Sequence, residues 1–402
     1  MSSIRNLYLN HVAQTSEMSM CIEVSHAAGV YIFGPNNKKY LDFNSGISVS
    51  SLGHSHPAVV DAVKKQAETY MHTMVYGEHI QLPQVQYATL LSKILNNGLD
   101  SVYFVNSGSE AVEAALKLAR KATDRSEIIA CAGAYHGSTI AAESLRSDFA
   151  FTRNYLPTIP GVNHIRFNNT DDLQFITEKT ACVILEPVQA EGGIIPPQND
   201  YLQKVKKRCE ETGTLMILDE IQTGFGRTGS LFAHQKYQVL PDILLIAKAM
   251  GGGMPIGALV AQKELMLTLA KNPPLGHITT FGGHPVCVAA ALATLEVLTS
   301  QSMVAEVEQK EKLLHTLLKH PLIKSVRSSG LMMSVQLVDA SFLTPIIDKA
   351  IANGVLIDYF LFDNESFRIA PPLIITPDQI REGVEKILNA MDSVMTNNLK
   401  KI

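Results

Sequence analysis

The sequence predicts an α/β protein in which a large domain with a mostly parallel sheet is joined to a smaller α+β lobe. The chain has 402 residues, more than a single hydrophobic core usually holds. From about residue 100, short runs of valine, isoleucine and leucine alternate with helical stretches, as buried strands of parallel sheets do. Beyond residue 300 the alternation stops, and amphipathic helices with isolated strand candidates replace it.

The first part of the chain predicts a β-hairpin followed by a helix. Residues 29–34 and 39–43 have strand-like alternation, and turn-forming residues at 34–37 separate the two stretches. A helix is expected after the pair His56-Pro57, because proline suits the first turn of a helix.

The middle of the chain carries the strand candidates of the large sheet. Helical patterns separate them, notably at residues 110–120, and a long apolar helix at 286–300 leads out of this part. The strand candidates are residues 101–105, 127–130, 181–185, 215–218, 243–247 and 258–261.

The last hundred residues predict the smaller lobe, which the N-terminal hairpin is expected to complete. Its candidate elements are a charged helix at 306–318, strands at 331–337 and 367–370, and a terminal helix at 377–394. The predicted division is an N-terminal segment that joins the small domain (1–45), a large domain (46–290) and a C-terminal small domain (291–402).

Composition and charge limit the partners, the metal sites and the compartment that we expect for the protein. The formal net charge of -4 offers no electrostatic reason to expect a nucleic acid or a membrane surface as partner. The five cysteines are dispersed and form no CxxC pair, so we expect free thiols and no metal site. No signal peptide and no run of 18 apolar residues stands out, and we expect a cytoplasmic protein.

The first chemically informative stretch is Ser107-Gly108-Ser109, where a strand runs directly into a helix. A helix N-terminus leaves unpaired N–H groups and the positive end of a dipole. Two hydroxyls and a glycine at this point would form a phosphate site. A plain serine N-cap is the alternative that these residues leave open.

The second stretch places Asp219 and Glu220 at the end of an apolar strand. Open α/β sheets place ligand-binding groups at this position. The alternatives are carboxylates that cap the next turn, or carboxylates that bind a metal, and the pair by itself does not separate them.

The third stretch has Lys248 at the end of an apolar run, before three glycines. A desolvated lysine has a lowered pKa, which an imine-forming amine requires. The alternative is a lysine that extends from the strand end to solvent. A nucleotide loop is not indicated, because no GxxxxGK[ST] pattern is present.

Together, the three stretches match a single ligand. They offer a phosphate site, a carboxylate for a basic ring nitrogen and an amine for an aldehyde. Pyridoxal phosphate (PLP) has all three groups.

The sequence resembles the class III aminotransferases, the ornithine, acetylornithine and 4-aminobutyrate type of PLP fold type I. The most specific match is DEIQTGFGRTG at 219–229 followed by PDILLIAKAMGGGMPIGA at 241–258. LDFNSGISVSSLGHSHP at 41–57 and RIAPPL at 368–373 extend the resemblance over nearly the whole chain. The resemblance implies a large domain with a mostly parallel seven-stranded sheet and a smaller α+β domain.

The resemblance also implies roles around the cofactor ring. Lys248 would hold PLP as a Schiff base and then shuttle the proton between the substrate Cα and the cofactor C4′. Asp219 would pair with the ring nitrogen, and Gln222 would bind the phenolic oxygen. Tyr135 would stack on the ring face, and Glu186 would belong to the cofactor-binding set.

The phosphate end is implied to involve two subunits. Ser107, Gly108 and Ser109 would hold the phosphate. Thr280 resembles the threonine that reaches the phosphate of the neighbouring subunit, which implies a homodimer.

The substrate end is implied to contain a switch. Arg368 resembles the arginine that grips the carboxylate of an α-amino or α-oxo acid. Glu191 resembles the glutamate that masks this arginine when an ω-amino substrate binds; a plain ion pair is the alternative. Ser138 stands where ornithine-type relatives commonly carry a substrate-binding arginine, and the nearby Arg146 has no position that the sequence determines.

The expected activity is ping-pong transfer of an amino group from an amino acid or ω-amine, such as ornithine, acetylornithine or 4-aminobutyrate, to an α-oxo acid, such as 2-oxoglutarate or pyruvate. An aminomutase or racemase of the same fold is one alternative. A PLP-binding protein without turnover and an α/β enzyme that does not use PLP are the others.

Overall fold

The computed structural model describes residues 3–399 except 18, 76 and 97, and only the main chain of residues 36 and 397–399. In this part of the chain the strands, β1 to β15 in order, are His26–Ala28, Tyr31–Phe33, Lys39–Asp42, Ser101–Val105, Glu127–Cys131, Val162–Ile165, Thr180–Leu185, Leu215–Asp219, Ile243–Ala247, Gly257–Ala261, Ile323–Ser328, Met333–Leu337, Val355–Leu356, Asp358–Tyr359 and Ser366–Ile369. The α-helices, α1 to α14 in order, are Ile4–His11, Ser45–Ser48, Pro57–Thr69, Leu82–Leu95, Gly108–Thr123, Ile140–Ser144, Phe149–Thr152, Tyr201–Thr212, Ala233–Lys236, Lys263–Met266, Pro285–Ser300, Val307–Leu317, Leu343–Ala352 and Pro377–Leu399.

A seven-stranded sheet forms the centre of the molecule, in the order β4-β10-β9-β8-β7-β5-β6. Strands β9, β8, β7, β5 and β6 are parallel, and β10 is antiparallel to both of its neighbours. Strands β7, β9 and β10 are buried along their whole length, because their apolar runs face packed elements on both sides of the sheet. The predicted α/β class and the seven-stranded, mostly parallel sheet are confirmed.

The topology of this sheet collects polar residues at one edge. Strand β4 runs in the same direction as β9, because β10 is antiparallel to both. The loops after β4, β5, β7, β8 and β9 therefore leave the sheet at the same edge. At this edge of an open α/β sheet, ligands bind outside the carboxyl ends of the strands.

Two four-stranded sheets complete the architecture. The predicted N-terminal hairpin is confirmed as β2 and β3, which pair antiparallel. Strand β3 also pairs parallel with β13, so the hairpin shares a sheet with the C-terminal part of the chain. The other small sheet has the order β11-β12-β15-β14 and is antiparallel throughout.

Some elements differ from the sequence-based expectations. The strand expected at 331–337 begins at Met333, because Ser329 donates its N–H to the Met332 carbonyl in a turn. The terminal helix continues to Leu399, five residues beyond its expected end. The edge strand β6 was not predicted; its sequence VNHI carries two exposed polar residues and lacks the apolar run of its neighbours.

Arg227 joins the large sheet to the C-terminal part of the chain. Its fully buried guanidinium donates to the carbonyls of Leu331 and Pro371 and to the Ser51 hydroxyl. Burial lowers the pKa of Arg227 to about 10. The arginine of the DEIQTGFGR block therefore has a structural position, which the sequence did not indicate.

Among the described helices, none alone has the length and apolar character to cross a membrane. Only Pro285–Ser300 and Ser302–Leu317 pass that test together, as a pair bent by 69°.

Candidate active site

A cavity of about 510 Å³ lies at the carboxyl edge of the large sheet. Of the eleven residues expected to bind the cofactor or the substrate, those that line it are Ser107, Gly108, Ser109, Tyr135, Glu186, Asp219, Gln222 and Lys248. Glu191, Arg368 and Thr280 are not among its lining residues. The chemistry-bearing stretches, which are up to 141 positions apart in sequence, therefore meet in one place.

Lys248 follows β9 in a strained main-chain conformation. Its φ of +49° lies in the left-handed region, which a side chain with a Cβ seldom adopts. Desolvation lowers the pKa of Lys248, and the charges of Glu191 and Arg368 also act on it. A lysine with a lowered pKa has a larger neutral fraction, which imine formation requires.

Asp219, the last residue of β8, binds a histidine. Its Oδ2 lies 2.7 Å from His136 Nδ1, and its Oδ1 accepts the N–H of Ile221 at 3.0 Å. Burial opposes the charged form of His136, but the hydrogen bond to Asp219 and the charges of Asp219 and Glu186 raise its pKa overall. The sequence assigned His136 no chemical role, although it adjoins Tyr135 in the same loop.

Glu220 points away from Asp219 and has a different function. Its carboxylate accepts the main-chain N–H groups of Ala233 and His234 and contacts the His234 ring at 2.8 Å. The capping alternative considered for the acidic pair therefore applies to Glu220, whereas Asp219 faces the cavity.

Glu186 is buried beside Asp219 and His136. It accepts the main-chain N–H of Tyr135 at 3.1 Å and that of Ala190 at 3.0 Å. Burial raises the pKa of Glu186 to about 7. The carboxyl group thus holds the loop that carries Tyr135.

The segment Ser107-Gly108-Ser109 starts helix α5 at the cavity wall. Ser107 is the N-cap, and its hydroxyl accepts the N–H of Glu110 at 3.2 Å. The Ser109 hydroxyl accepts the N–H of Ser138 at 3.0 Å. The N-cap alternative is therefore present, and it is compatible with a phosphate site because the same residues line the cavity.

Tyr135 lies between the cavity and the partly buried Arg146. Its hydroxyl is 3.2 Å from the hydroxyl of Ser138. The Arg146 guanidinium lies 4.8 Å from the centre of the Tyr135 ring and pairs with Glu143 at 3.3 Å. Arg146 therefore packs against the site without being one of the residues that line it.

Arg368 and Glu191 form a buried ion pair. Arg368 Nη2 donates to both carboxylate oxygens of Glu191, each at 2.7 Å. Its Nε and Nη1 are buried and have no partner within the described residues. The ring of Phe360 lies 4.6 Å from the guanidinium carbon. Buried donors without a partner are uncommon, and they fit a carboxylate ligand.

Thr280 is exposed and is not among the residues that line the cavity of its own chain. Its expected reach to the neighbouring subunit remains a prediction.

The lining residues fit PLP. Gln222 Oε1 is buried without a partner in the described part of the chain, as expected of an amide that faces a ligand. A helix N-terminus for a phosphate, Asp219 for a ring nitrogen and Lys248 for an aldehyde all line the same cavity. Within residues 3–399, apart from the gaps, no cluster of three histidine, cysteine or acidic side chains could hold a metal ion.

Comparison with known proteins gives matches over nearly the whole chain. An acetylornithine aminotransferase of Methanocaldococcus jannaschii is 39% identical over 380 residues, 92% of each chain. One from Archaeoglobus fulgidus is 36% identical over 381 residues, 94% of this chain and 98% of the relative.

The comparison with solved structures gives the same class of enzyme as the comparison of sequences. The ornithine aminotransferase of Toxoplasma gondii, whose active site is described as partly occupied by PLP, superposes with a TM-score of 0.90 at 30% identity. The match covers 98% of this chain and 94% of that one. A transaminase from the marine bacterium Virgibacillus gives a TM-score of 0.92 at 26% identity, over 98% and 100% of the two chains.

The family model described as aminotransferase class III matches residues 12–391. The fold is therefore PLP fold type I, and the alternatives of an aminomutase, a racemase or a non-catalytic protein are not favoured. The chain belongs to the class III aminotransferases, and it is a transaminase with pyridoxal phosphate as its cofactor.

Proposed function

We propose that the protein moves an amino group from an amino acid or ω-amine to an α-oxo acid in two half-reactions at one carboxylate-binding site. The observation that carries the proposal is the buried pair of Arg368 and Glu191, which leaves two guanidinium donors without partners. While Glu191 neutralises Arg368, the site suits the uncharged end of an ω-amine. When Glu191 turns away, Arg368 offers a bidentate grip for the carboxylate of an oxo acid such as 2-oxoglutarate or pyruvate.

The cavity residues divide the work of holding the cofactor. PLP, when bound, supplies an aldehyde and an electron-withdrawing ring. Ser107, Gly108 and Ser109 would hold its phosphate by hydroxyl and N–H groups at the start of α5. Asp219 would hold a proton on the ring nitrogen, and Gln222 would bind the phenolic oxygen.

Lys248 would move the proton of the reaction. With its pKa lowered, its amine would take a proton from the substrate carbon that bears the amino group and deliver it to the carbon of the cofactor's aldehyde group. Tyr135 would cover one face of the cavity and exclude water, and Glu186 would fix that residue through its main-chain N–H.

The names of the relatives give only a starting point for identifying the amino donor. Their names make N-acetylornithine and ornithine the first donors to test. Ser138 supplies no cation at the cavity wall, so a donor without a carboxylate at that end must be tested as well. A panel with 4-aminobutyrate, lysine and β-alanine, which carry a carboxylate, and the diamine putrescine, which carries none, covers both classes.

The proposal also covers the domain division, the oligomeric state and the cellular location of the protein. We propose a division into residues 1–45 with 291–402 and residues 46–290, supported by the pairing of β3 with β13. We further propose a cytoplasmic homodimer in which Thr280, exposed on its own chain, completes the phosphate site of the neighbouring subunit.

The decisive experiment measures net amino transfer by purified protein supplied with PLP, using the donor panel with 2-oxoglutarate or pyruvate. We expect transfer with at least one pair, and we expect Lys248→Ala to abolish both turnover and the visible absorbance of bound PLP. Lys263→Ala, on an exposed position of α10, is the matched control and should keep both.

Other outcomes would indicate the rival functions. Isomerisation or racemisation without transfer to an added oxo acid would identify an aminomutase or racemase. Visible absorbance without turnover would indicate a PLP-binding protein. Full activity of the Lys248→Ala variant would refute the proposed mechanism.

A further inference from the structure

Glu191 lies in a turn, residues 190–194, that crosses from the large sheet to the C-terminal part of the chain. The residues beside Glu191 anchor the turn by apolar packing. Val188, Ala190 and Ile194 are buried and form one cluster with Met332 and Phe360. The main chain around Glu191 is therefore held independently of the ion pair that its side chain makes.

Hydrogen bonds hold the turn to the segment before β15. The Glu191 carbonyl accepts the N–H of Phe362 at 3.1 Å. Its side-chain Oε2 accepts the N–H of Leu361 at 3.2 Å, in addition to its bond to Arg368. The main-chain bond would survive a rotation of the Glu191 side chain, whereas the side-chain bonds to Leu361 and Arg368 would be lost.

A second contact closes the other end of the turn. Arg327 donates from Nε to the Gly193 carbonyl at 3.0 Å and pairs through Nη2 with Asp363 Oδ2 at 3.1 Å. Asp363 is itself fixed by the Ser366 hydroxyl at 2.7 Å and the Glu365 N–H at 3.0 Å. Gly193 has a φ of +92°, and a Cβ there would overlap both the Asp363 carboxylate and the Arg327 guanidinium.

We propose that Arg327 and Asp363 form a clasp that fixes the main chain of the 190–194 turn, so that Glu191 changes partner by rotation of its side chain alone. The inference rests on the proposed exchange of Glu191 on Arg368. Arg327 is a positioning residue in this scheme, since its effect passes through Gly193 and Glu191. The clasp keeps the carboxylate at the correct distance to mask Arg368 and to return after each half-reaction.

Loss of the clasp has an asymmetric effect. The half-reaction with an ω-amine needs Glu191 in place on Arg368, so a loosened turn impairs it. The half-reaction with an α-oxo acid needs Arg368 free, so the same loosening leaves it nearly unchanged. A contact that contributed only to stability would lower both half-reactions together.

The first test compares the two half-reactions of the Arg327→Met variant by rapid mixing, with the best ω-amine donor of the wild type added to the pyridoxal phosphate form and 2-oxoglutarate added to the pyridoxamine phosphate form. We expect kcat/KM for the amine to fall about tenfold through misplacement of Glu191, and that for the oxo acid to stay within about twofold. Equal losses in both half-reactions would overturn the proposal.

Arg208→Met is the matched control. Arg208 also donates from Nε to a main-chain carbonyl, that of Ile176, and pairs with a carboxylate, that of Glu211. Its side chain is 33% exposed, close to the 38% of Arg327, and it lies on α8, outside the cavity lining. Its loss should leave the ratio of the two half-reactions at the wild-type value.

A double-mutant cycle tests whether the effect passes through Glu191. In a Glu191→Gln background, Arg327→Met should not change the ratio further, because the masking charge is already absent. Arg327→Lys, which keeps the charge opposite Asp363, should restore part of the ratio. A full additional effect in the Glu191→Gln background would contradict the inference.

Two measurements do not depend on turnover. Hydrogen exchange of peptides that cover 189–195 and 361–363 should be faster in the Arg327→Met holoenzyme and unchanged in Arg208→Met. Succinate, a carboxylate probe for Arg368, should bind the Arg327→Met holoenzyme about threefold more tightly in calorimetry, because Glu191 competes less well. Unchanged exchange and unchanged succinate affinity would refute the clasp, even in a protein that transfers no amino group.

Discussion

The two ends of the active site are built from different kinds of structure. At the cofactor end, Asp219 and Lys248 stand at the ends of neighbouring buried strands of one sheet. At the substrate end, Arg368 lies on a strand of another sheet and Glu191 lies in a turn. In the proposed mechanism, the groups that keep one geometry are thus fixed by a sheet, whereas the groups that exchange partners are brought together across elements.

The fixed end is tested most directly by Asp219→Asn. The amide keeps the shape of the side chain and can still bond His136, but it loses the charge that we propose stabilises a protonated ring nitrogen. We expect kcat to fall about 10³-fold, as when an oriented electrostatic group is removed from an active site. Activity and cofactor absorbance should be measured together; near-normal kcat would show that this end tolerates more than the comparison implies.

Glu186→Gln tests how the buried Glu186 carboxyl changes the stability of the protein with pH. The carboxyl releases its proton near pH 4.5 when unfolded and near 7 when folded, so its contribution to stability is complete below 4.5 and is lost as the pH rises through 7. This corresponds to about 3 kcal/mol of unfolding free energy. Urea unfolding of the cofactor-free protein at pH 4.5 and pH 8 should show a larger loss in the wild type than in the variant, in which His136 still contributes. An identical pH dependence in the two proteins would contradict the assignment.

The exchanging end is tested by Arg368→Gln. The variant cannot form a charged bidentate pair, so we expect KM for 2-oxoglutarate to rise about 50-fold, with a smaller change for an ω-amine. Steady-state kinetics with each substrate varied in turn will measure this. Equal increases for both substrates would show that Arg368 does not distinguish them.

His136→Gln should have the smallest effect. His136 acts through Asp219, so its loss should weaken PLP binding and kcat by about tenfold, as is usual for residues that orient a functional group. Titration of the cofactor-free protein with PLP measures the affinity. If His136→Phe, which has no hydrogen-bonding group, were as active as the wild type, Asp219 would need no such support.

More of the cofactor end than of the substrate end could be predicted from the sequence, and the reason is physical. Asp219 and Lys248 each close an apolar strand, and strand ends at one edge of a sheet meet without any knowledge of side-chain packing. The resemblance to a family, rather than any spacing, identified Glu191 and Arg368 as partners. Their contact depends on how a turn from one sheet meets a strand of another, 177 positions later.

The residues that support the site were beyond the reach of local patterns. His136 meets Asp219 across 83 positions, and Arg327 meets Gly193 across 134. Nothing beside either residue in the sequence marks these contacts. Strand β6 was missed for another reason: it lies at the edge of the sheet, where polar side chains replace the apolar run that signals a strand.

The buried guanidinium of Arg227 has a consequence for the order in which parts of the protein can fold during synthesis. Two of its three acceptors, the carbonyls of Leu331 and Pro371, are made more than a hundred residues after it on the ribosome. Until they emerge, the block that carries Asp219 has an unpaired charge that cannot be buried without a large penalty. We therefore expect the segment around Arg227 to reach its final packing only when nearly the whole polypeptide has been released.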